Sequence, residues 1–254
     1  MGLRILSVIR QVLDAEESVR IKDGMVDPSS SKLVLDTMDE YGLEEALRIR
    51  DAQPETEVVA LAVGPARCEE ALRTALAIGA DRAILVETFE PLDVITVGNV
   101  AAQVARKEQS DLIFCGGQEA DWDSQAFGAA IAEYLNWPQL TWTTALNLEG
   151  RTLTGTHDID EGTESFSVEL PAVITTQQGL CEPRYPTLPN IMKARKKELR
   201  RESFESFGLH SRLKFIRSEI QVKERMRRIV DGKDGSAAAQ QLVEFLRNET
   251  RVIG

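Results

Sequence analysis

With 254 residues, 43% of them hydrophobic, the chain can build one large α/β domain plus an extension around a sizeable core. Its three cysteines, Cys68, Cys115 and Cys181, are scattered without C-x-x-C spacing, which argues against a disulfide framework or a thiolate metal site. The formal charge of −11 is unevenly spread: residues 1–190 carry 14 Lys+Arg against 32 Asp+Glu, and residues 191–254 carry 16 against 9.

A basic tail on an acidic body suits nucleic acid, an anionic membrane or an acidic protein surface, and equally a solvated helical face. No apolar run approaches the roughly 18 residues that a membrane span needs. The first nine residues lack a long apolar segment with a small-residue cleavage site, so a cytoplasmic setting, or a mitochondrial matrix, is expected, with no membrane insertion.

In chain order, Arg4 to Ile9 reads as a compact apolar strand, and R-Q-V-L-D (10–14) follows it into the crevice at the strand's carboxyl end. Val19 to Asp27 alternates around Asp23-Gly24, a hairpin pattern. Thr37-Met38-Asp39-Glu40 has the form of a capping box opening a helix that runs to Arg50. A second main strand spans Glu57 to Val63, a helix Ala66 to Ile78 with Gly79 as a left-handed stop, and a third strand Arg82 to Val86. Then come a helix from Leu92 to Glu108, a fourth strand from Asp111 to Cys115, and a helix from Phe127 to Leu135. Such alternation predicts a doubly wound, mostly parallel sheet whose strand carboxyl ends share one edge.

Three extended runs, 140–148, 151–158 and 163–169, predict an antiparallel hairpin insertion, and Pro171 to Thr176 a strand returning to the main sheet. Beyond Cys181 the pattern suggests loop and charged helix, with a last amphipathic helix at 236–247. The domain plan is thus a nucleotide-binding α/β domain over 1–190 and a basic C-terminal arm over 191–254, which would contact a partner.

The stretch from Asp111 to Gly128, D-L-I-F-C-G-G-Q-E-A-D-W-D-S-Q-A-F-G, reads as strand, loop and helix. Paired Gly116 and Gly117 would let backbone N–H groups approach a phosphate, although an ordinary strand–helix connection also fits. The spacing is neither a P-loop nor G-x-G-x-x-G. Asp121, Asp123 and Gln125 resemble the start of a calcium loop, but Ala126 and Ala132 stand where its glycine and bidentate glutamate belong, so no metal is expected. Ser124 lies in no nucleophile elbow, and His157 and His210 stand alone. Cys115 at a strand end suits an activated thiol or a small buried residue. No catalytic set is expected.

Cys181 to Lys197, C-E-P-R-Y-P-T-L-P-N-I-M-K-A-R-K-K, places three prolines in an extended exposed loop that carries Leu188, Ile191 and Met192 ahead of a basic helix. Exposed leucine and methionine suit an adaptable docking surface, or they fold back on the chain's own core.

These segments resemble the β subunit of the electron-transferring flavoproteins. The likeness rests on R-I-L-S-V-I-R-Q-V-L-D (4–14), D-E-Y-G-L-E-E-A-L-R (39–48), V-G-P-A-R-C-E-E-A-L-R-T-A-L-A-I-G-A-D-R (63–82), D-L-I-F-C-G-G-Q-E-A-D (111–121) and above all E-P-R-Y-P-T-L-P-N-I-M-K-A-R-K-K (182–197), in family order over about 1–200. The resemblance implies an adenine nucleotide alpha hydrolase-like fold and a heterodimer with an α subunit that holds most of the FAD site. It further implies electron traffic from flavin dehydrogenases, as in fatty acid oxidation, to a quinone-linked acceptor. The subunit itself is then an electron carrier and not an enzyme.

The resemblance also implies a second adenine nucleotide in the β subunit, AMP or, in electron-bifurcating members, a second FAD. Carried over by motif, its pocket comprises Val8, Asp36, Thr37, Met38, Asp39, Val63, Cys115, Gly116, Gly117, Gln118, Asp121, Asp123, Ser124, Gln125, Ala126, Phe127 and Gly128. The family's partner-docking segment falls on Thr187, Leu188, Pro189, Ile191 and Met192, with Leu188 as anchor. Relatives commonly read N-P-F or N-P-D where this chain has Asp36-Thr37-Met38-Asp39. An anionic Asp36 near a phosphate is unfavourable unless it bonds ribose or caps the helix.

Two rival classes remain at this stage. An ATP pyrophosphatase-type enzyme needs S-G-G-x-D-S after the first strand, whereas the nearest string here, C-G-G-Q-E-A (115–120), follows the fourth and lacks hydroxyls. Nucleic-acid binding by the tail would call for aromatic residues interleaved with its charges, and the tail has only four phenylalanines, Phe204, Phe207, Phe215 and Phe245.

Overall fold

The predicted strands and helices of the first 176 residues appear in the predicted order. The computed structural model describes residues 2–14, 16–118, 120, 123–221 and 229–249. The first part comprises β1 (Arg4–Val8), β2 (Gln11–Leu13), β3 (Ile21–Lys22), β4 (Met25–Val26), β5 (Leu33–Leu35) and α1 (Thr37–Ala52). Next come β6 (Glu57–Gly64), α2 (Glu69–Ile78), β7 (Arg82–Glu87), α3 (Val94–Glu108), β8 (Leu112–Gly116) and α4 (Phe127–Leu135). The chain continues through β9 (Gln139–Glu149), β10 (Thr152–Ile159), β11 (Gly162–Glu169), β12 (Ala172–Thr176), α5 (Leu188–Ala194), β13 (Leu199–Ser203) and α6 (Gly235–Asn248).

Among the described residues, nine strands form one sheet in the order β11-β10-β9-β12-β8-β1-β6-β7-β13. From β9 to β13 along that order every neighbouring pair is parallel. Only β10 runs against its neighbours, so the predicted hairpin strands extend one end of the main sheet through β9. Side chains alternate across the pleat. Ile5, Ile9, Val58, Ala60, Leu85 and Phe114 pack under α1 and α2 with Leu43, Leu47 and Leu72. Leu6, Val8, Leu61, Ile84, Val86 and Ile113 pack under α3 and α4 with Val100, Val104 and Ile131. Helices cover both faces, which is what a doubly wound sheet requires.

Local chemistry sets the element ends. The two-residue turn between β3 and β4 has Asp23 and Gly24 at φ 52 and 74, the left-handed pair that a tight hairpin demands. At α1 the cap is Asp36, whose Oδ1 accepts from Met38 N at 3.0 Å, and not the predicted Thr37, which is already helical. The aspartate satisfies an exposed amide from one residue further back. Gly79 ends α2 without a left-handed φ, and a Cβ there would lie 2.9 Å from Leu47 Cδ1.

The chain divides into two compact units, Met1–Ser218 and Glu219–Gly254, so the first unit runs well past the predicted boundary at 190. The reason is β13. Leu199 to Ser203, expected within a charged helix, lies parallel to β7 as the last strand of the sheet. Its arginines meet acids of the body. Arg200 and Arg82 both bond the Glu108 carboxylate, which is 8% exposed, and Arg201 bonds Glu69 and Glu87. The Lys197 ammonium donates to the Leu76 and Ala80 carbonyls, placing a cation at the C-terminus of α2. In the second unit, α6 is an amphipathic helix capped by Asp234. Among the described residues, no helix is long and apolar enough to cross a membrane.

Candidate functional site

The connection leaving β1 leads through α1 to β6 on one side, and the chain returns to β8 on the other, so the winding reverses between β1 and β8. Ligands of open α/β sheets bind in the crevice above such a reversal, at the carboxyl ends of the strands. Here that crevice lies between the residues after Val8, those after Gly116, and the N-terminus of α1.

Its centre is an ion cluster. The Arg10 guanidinium grips Asp39 with both ends, Nε to Oδ2 at 2.8 Å and Nη2 to Oδ1 at 2.7 Å, and Arg10 N also donates to Oδ2 at 2.8 Å. Asp39 Oδ1 further accepts from Gly116 N at 2.8 Å. Asp36 Oδ2 lies 3.6 Å from Arg10 Nη2 and accepts from Ala120 N at 3.0 Å. Both carboxylates are fully buried. Burial, and then the neighbouring Asp39 charge, push the Asp36 carboxyl up to about 6, while Arg10 and the amides of Ala120 and Met38 pull the other way. The Glu40 carboxyl is raised by burial and by Asp36 and Asp39.

Gly116 is held to glycine by this arrangement, because a Cβ would fall 2.6 Å from Met38 Cβ and onto the Arg10 guanidinium. Gly117 N donates to Thr176 O, and the Thr176 hydroxyl donates to Met38 O at 2.8 Å, which ties the ends of β8 and β12 to α1. Trp142, at φ 55, donates its N–H to the Thr175 hydroxyl at 2.9 Å.

The predicted pocket residues therefore divide. Asp36, Met38, Asp39, Gly116, Gly117 and Gln118 come together, with the Gln118 carbonyl 3.4 Å from Arg10 Nη2. Thr37 opens α1 beside them, exposed. Val8, Cys115 and Phe127 lie in the apolar cluster under α3 and α4, and Val63 packs against it. Asp123, Ser124, Gln125 and Ala126 form the approach to α4, with Asp123 and Gln125 at left-handed φ and Gln125 Nε2 donating to Asp123 Oδ1 at 3.1 Å. Gly128 sits in the first turn of α4 where a Cβ would strike Thr175 Cγ2. Asp121 lies outside the described residues. Sequence reasoning placed Arg10 in the crevice but gave it no role, and it missed Thr176 altogether.

The segment expected to dock partners is also well defined. Arg184 anchors it to α1: its Nε and Nη2 bond the Glu44 carboxylate at 2.8 and 2.9 Å, and Nη2 reaches Asp51 at 2.9 Å. Arg73 Nη1 on α2 donates to the carbonyls of Ala194 and Lys197. Between these anchors the predicted extended loop is helical from Leu188, because Pro189 falls in the first turn, where a missing N–H costs no helical bond. Leu188 and Met192 are 80% and 71% exposed and Ile191 39%, and Thr187 is exposed too. A groove of about 770 Å³ runs alongside, lined in part by Arg67, Arg73, Pro186, Ile191 and Arg195.

The model of the electron transfer flavoprotein domain matches residues 24–206. This chain belongs to the electron transfer flavoprotein β-subunit family. It is 41% identical over 204 residues to the electron transfer flavoprotein subunit beta of Homo sapiens, covering 78% of this chain and 80% of that one. To the subunit beta of Bradyrhizobium diazoefficiens it is 38% identical over 209 residues, covering 82% and 84%. To the mitochondrial subunit beta of Oryza sativa subsp. indica it is 37% identical over 259 residues, covering 99% and 100%. As a family member, this β-type chain has the expected α/β fold, and residues 187–192 lie within the matched span.

Proposed function

We propose that the chain is the β subunit of an electron-carrying heterodimer, in which an α subunit holds most of the FAD site. The pair would take electrons from flavin dehydrogenases and pass them to a quinone-linked acceptor. FAD, when bound, supplies the electron chemistry; this chain supplies orientation and partner choice. The observation that carries the reading is the exposed Leu188 and Met192 on a helix turn held by Arg184 and Arg73, within the residues that the family model matches. A projecting apolar pair on a fixed base is suited to brief, repeated docking.

Of the second nucleotide, AMP or a second FAD, the donors at the switch point give no support: the amides and guanidinium that would receive a phosphate already hold carboxylates. Co-expression with the α subunit tests the main reading. The expected product is a yellow, monodisperse heterodimer that is reduced by a flavin dehydrogenase; a colourless heterodimer that takes up no flavin overturns it.

A further inference from the structure

The crevice between β1 and β8 has the donors that an anion site needs. They are the backbone N–H groups just past two strand ends, a loop N–H, the open end of a helix, and a guanidinium. Every one of these is engaged by the chain's own acids. Arg10 N, Gly116 N and both ends of the Arg10 fork bond Asp39. Ala120 N and Met38 N bond Asp36, which caps α1 and so occupies the positive end of that helix.

Space and charge agree with this. Gly116 lies so close to Met38 that even one carbon added there would be 2.6 Å from Met38 Cβ. Two carboxylates face one arginine, with Glu40 beside them, so the local balance is negative and a phosphate of about −2 would be repelled. A phosphate would have to expel Asp39 from its four hydrogen bonds and leave that carboxylate buried and unpaired, which is costly.

We infer that in this chain Asp39 and Asp36 stand in for the nucleotide phosphate, so that the switch-point crevice is filled from within and holds neither AMP nor a second FAD. The inference uses the family reading only for the expectation that a nucleotide belongs there.

The test begins with the heterodimer purified at about pH 7.5, with its nucleotides extracted and counted and AMP titrated by calorimetry. Expected are only traces of AMP, one FAD at most, and no saturable AMP binding up to about 1 mM. One equivalent of AMP, or two of FAD, overturns the inference. The second arm removes the internal anion with Asp39→Ala, which frees Gly116 N and the guanidinium; AMP affinity should rise at least about tenfold. Asp36→Asn, which keeps a good helix cap, serves as the milder variant, with a smaller gain expected. Folded variants that bind AMP no better than the parent overturn the role given to these carboxylates. Flavin content is read separately: a heterodimer without FAD speaks against the proposed function and leaves the AMP result to decide this inference.

Discussion

At the residue scale, Asp36 is the group whose position has the clearest cost. Its carboxyl is raised from 3.8 to about 6 by burial and by Asp39, so the folded state binds its proton more tightly than the unfolded one. That contribution to stability is fully present below about pH 3.8 and is lost as pH rises through about 6. Two units correspond to roughly 3 kcal/mol at most. Asp36→Asn removes the titration while keeping the cap. In urea unfolding between about pH 4 and 7, the parent protein should lose about 2–3 kcal/mol relative to the variant as pH rises; a constant difference across that range would remove Asp36 as the titrating group. This residue was half legible in the sequence. Thr37 and Glu40 had the capping-box spacing, but the pattern cannot tell which of two adjacent oxygen-bearing residues reaches the free amide. Arg10 was less legible still, because its partner Asp39 is 29 positions away and only the fold brings them together.

At the element scale, strands and helices with a clean apolar period were readable, since burial on one or two faces dictates that period. Among the described residues, the helix over 127–135 came out at its predicted ends, and the hairpin strands at theirs within a residue or so. The strand β13 was not readable. Its charges look like a solvated helix in isolation and make sense only beside Glu108, Glu69 and Glu87, which lie 92, 132 and 114 residues earlier in the bonds they form. Helix-on-sheet packing supplies a test here. Gly128 lets α4 sit directly on Thr175, and Gly128→Ala puts a methyl into Thr175 Cγ2. Overpacking of that kind costs about 1–3 kcal/mol. Gly232→Ala, whose methyl meets nothing within 4 Å, is the control. Thermal unfolding should drop by several degrees for the first and stay level for the second; equal melting points would show that α4 can slide to make room.

At the scale of the whole molecule, the sign change in charge near residue 191 has a cause within the chain. Arg200 and Arg201 answer Glu108, Glu69 and Glu87, and Lys197 caps α2, so part of the basic segment is spent on the acidic body. In the second unit, α6 leaves Leu242 and Val243 exposed. The proposed docking of partners rests at this scale on Leu188. Leu188→Ala should leave stability within about 0.5 kcal/mol, since the side chain is 80% exposed, and flavin content unchanged. Electron transfer from a dehydrogenase should slow by roughly five- to thirtyfold, the effect of losing an anchoring contact worth about 1–2 kcal/mol. Stopped-flow reduction measures this directly, and unchanged rates would count against the anchor.

The position of β13 also bears on how the protein is made. Its Leu199 pairs with Ala83, so β7 waits for an outer neighbour until 116 further residues have been synthesised. At roughly 5–20 residues per second that wait is on the order of ten seconds. Throughout it, the nascent sheet presents Ile84, Leu85 and Val86 on an open edge, the form of β structure most prone to pair with another chain. A strand that only ties off the sheet in the finished protein is, on the ribosome, what ends its period of greatest exposure to aggregation.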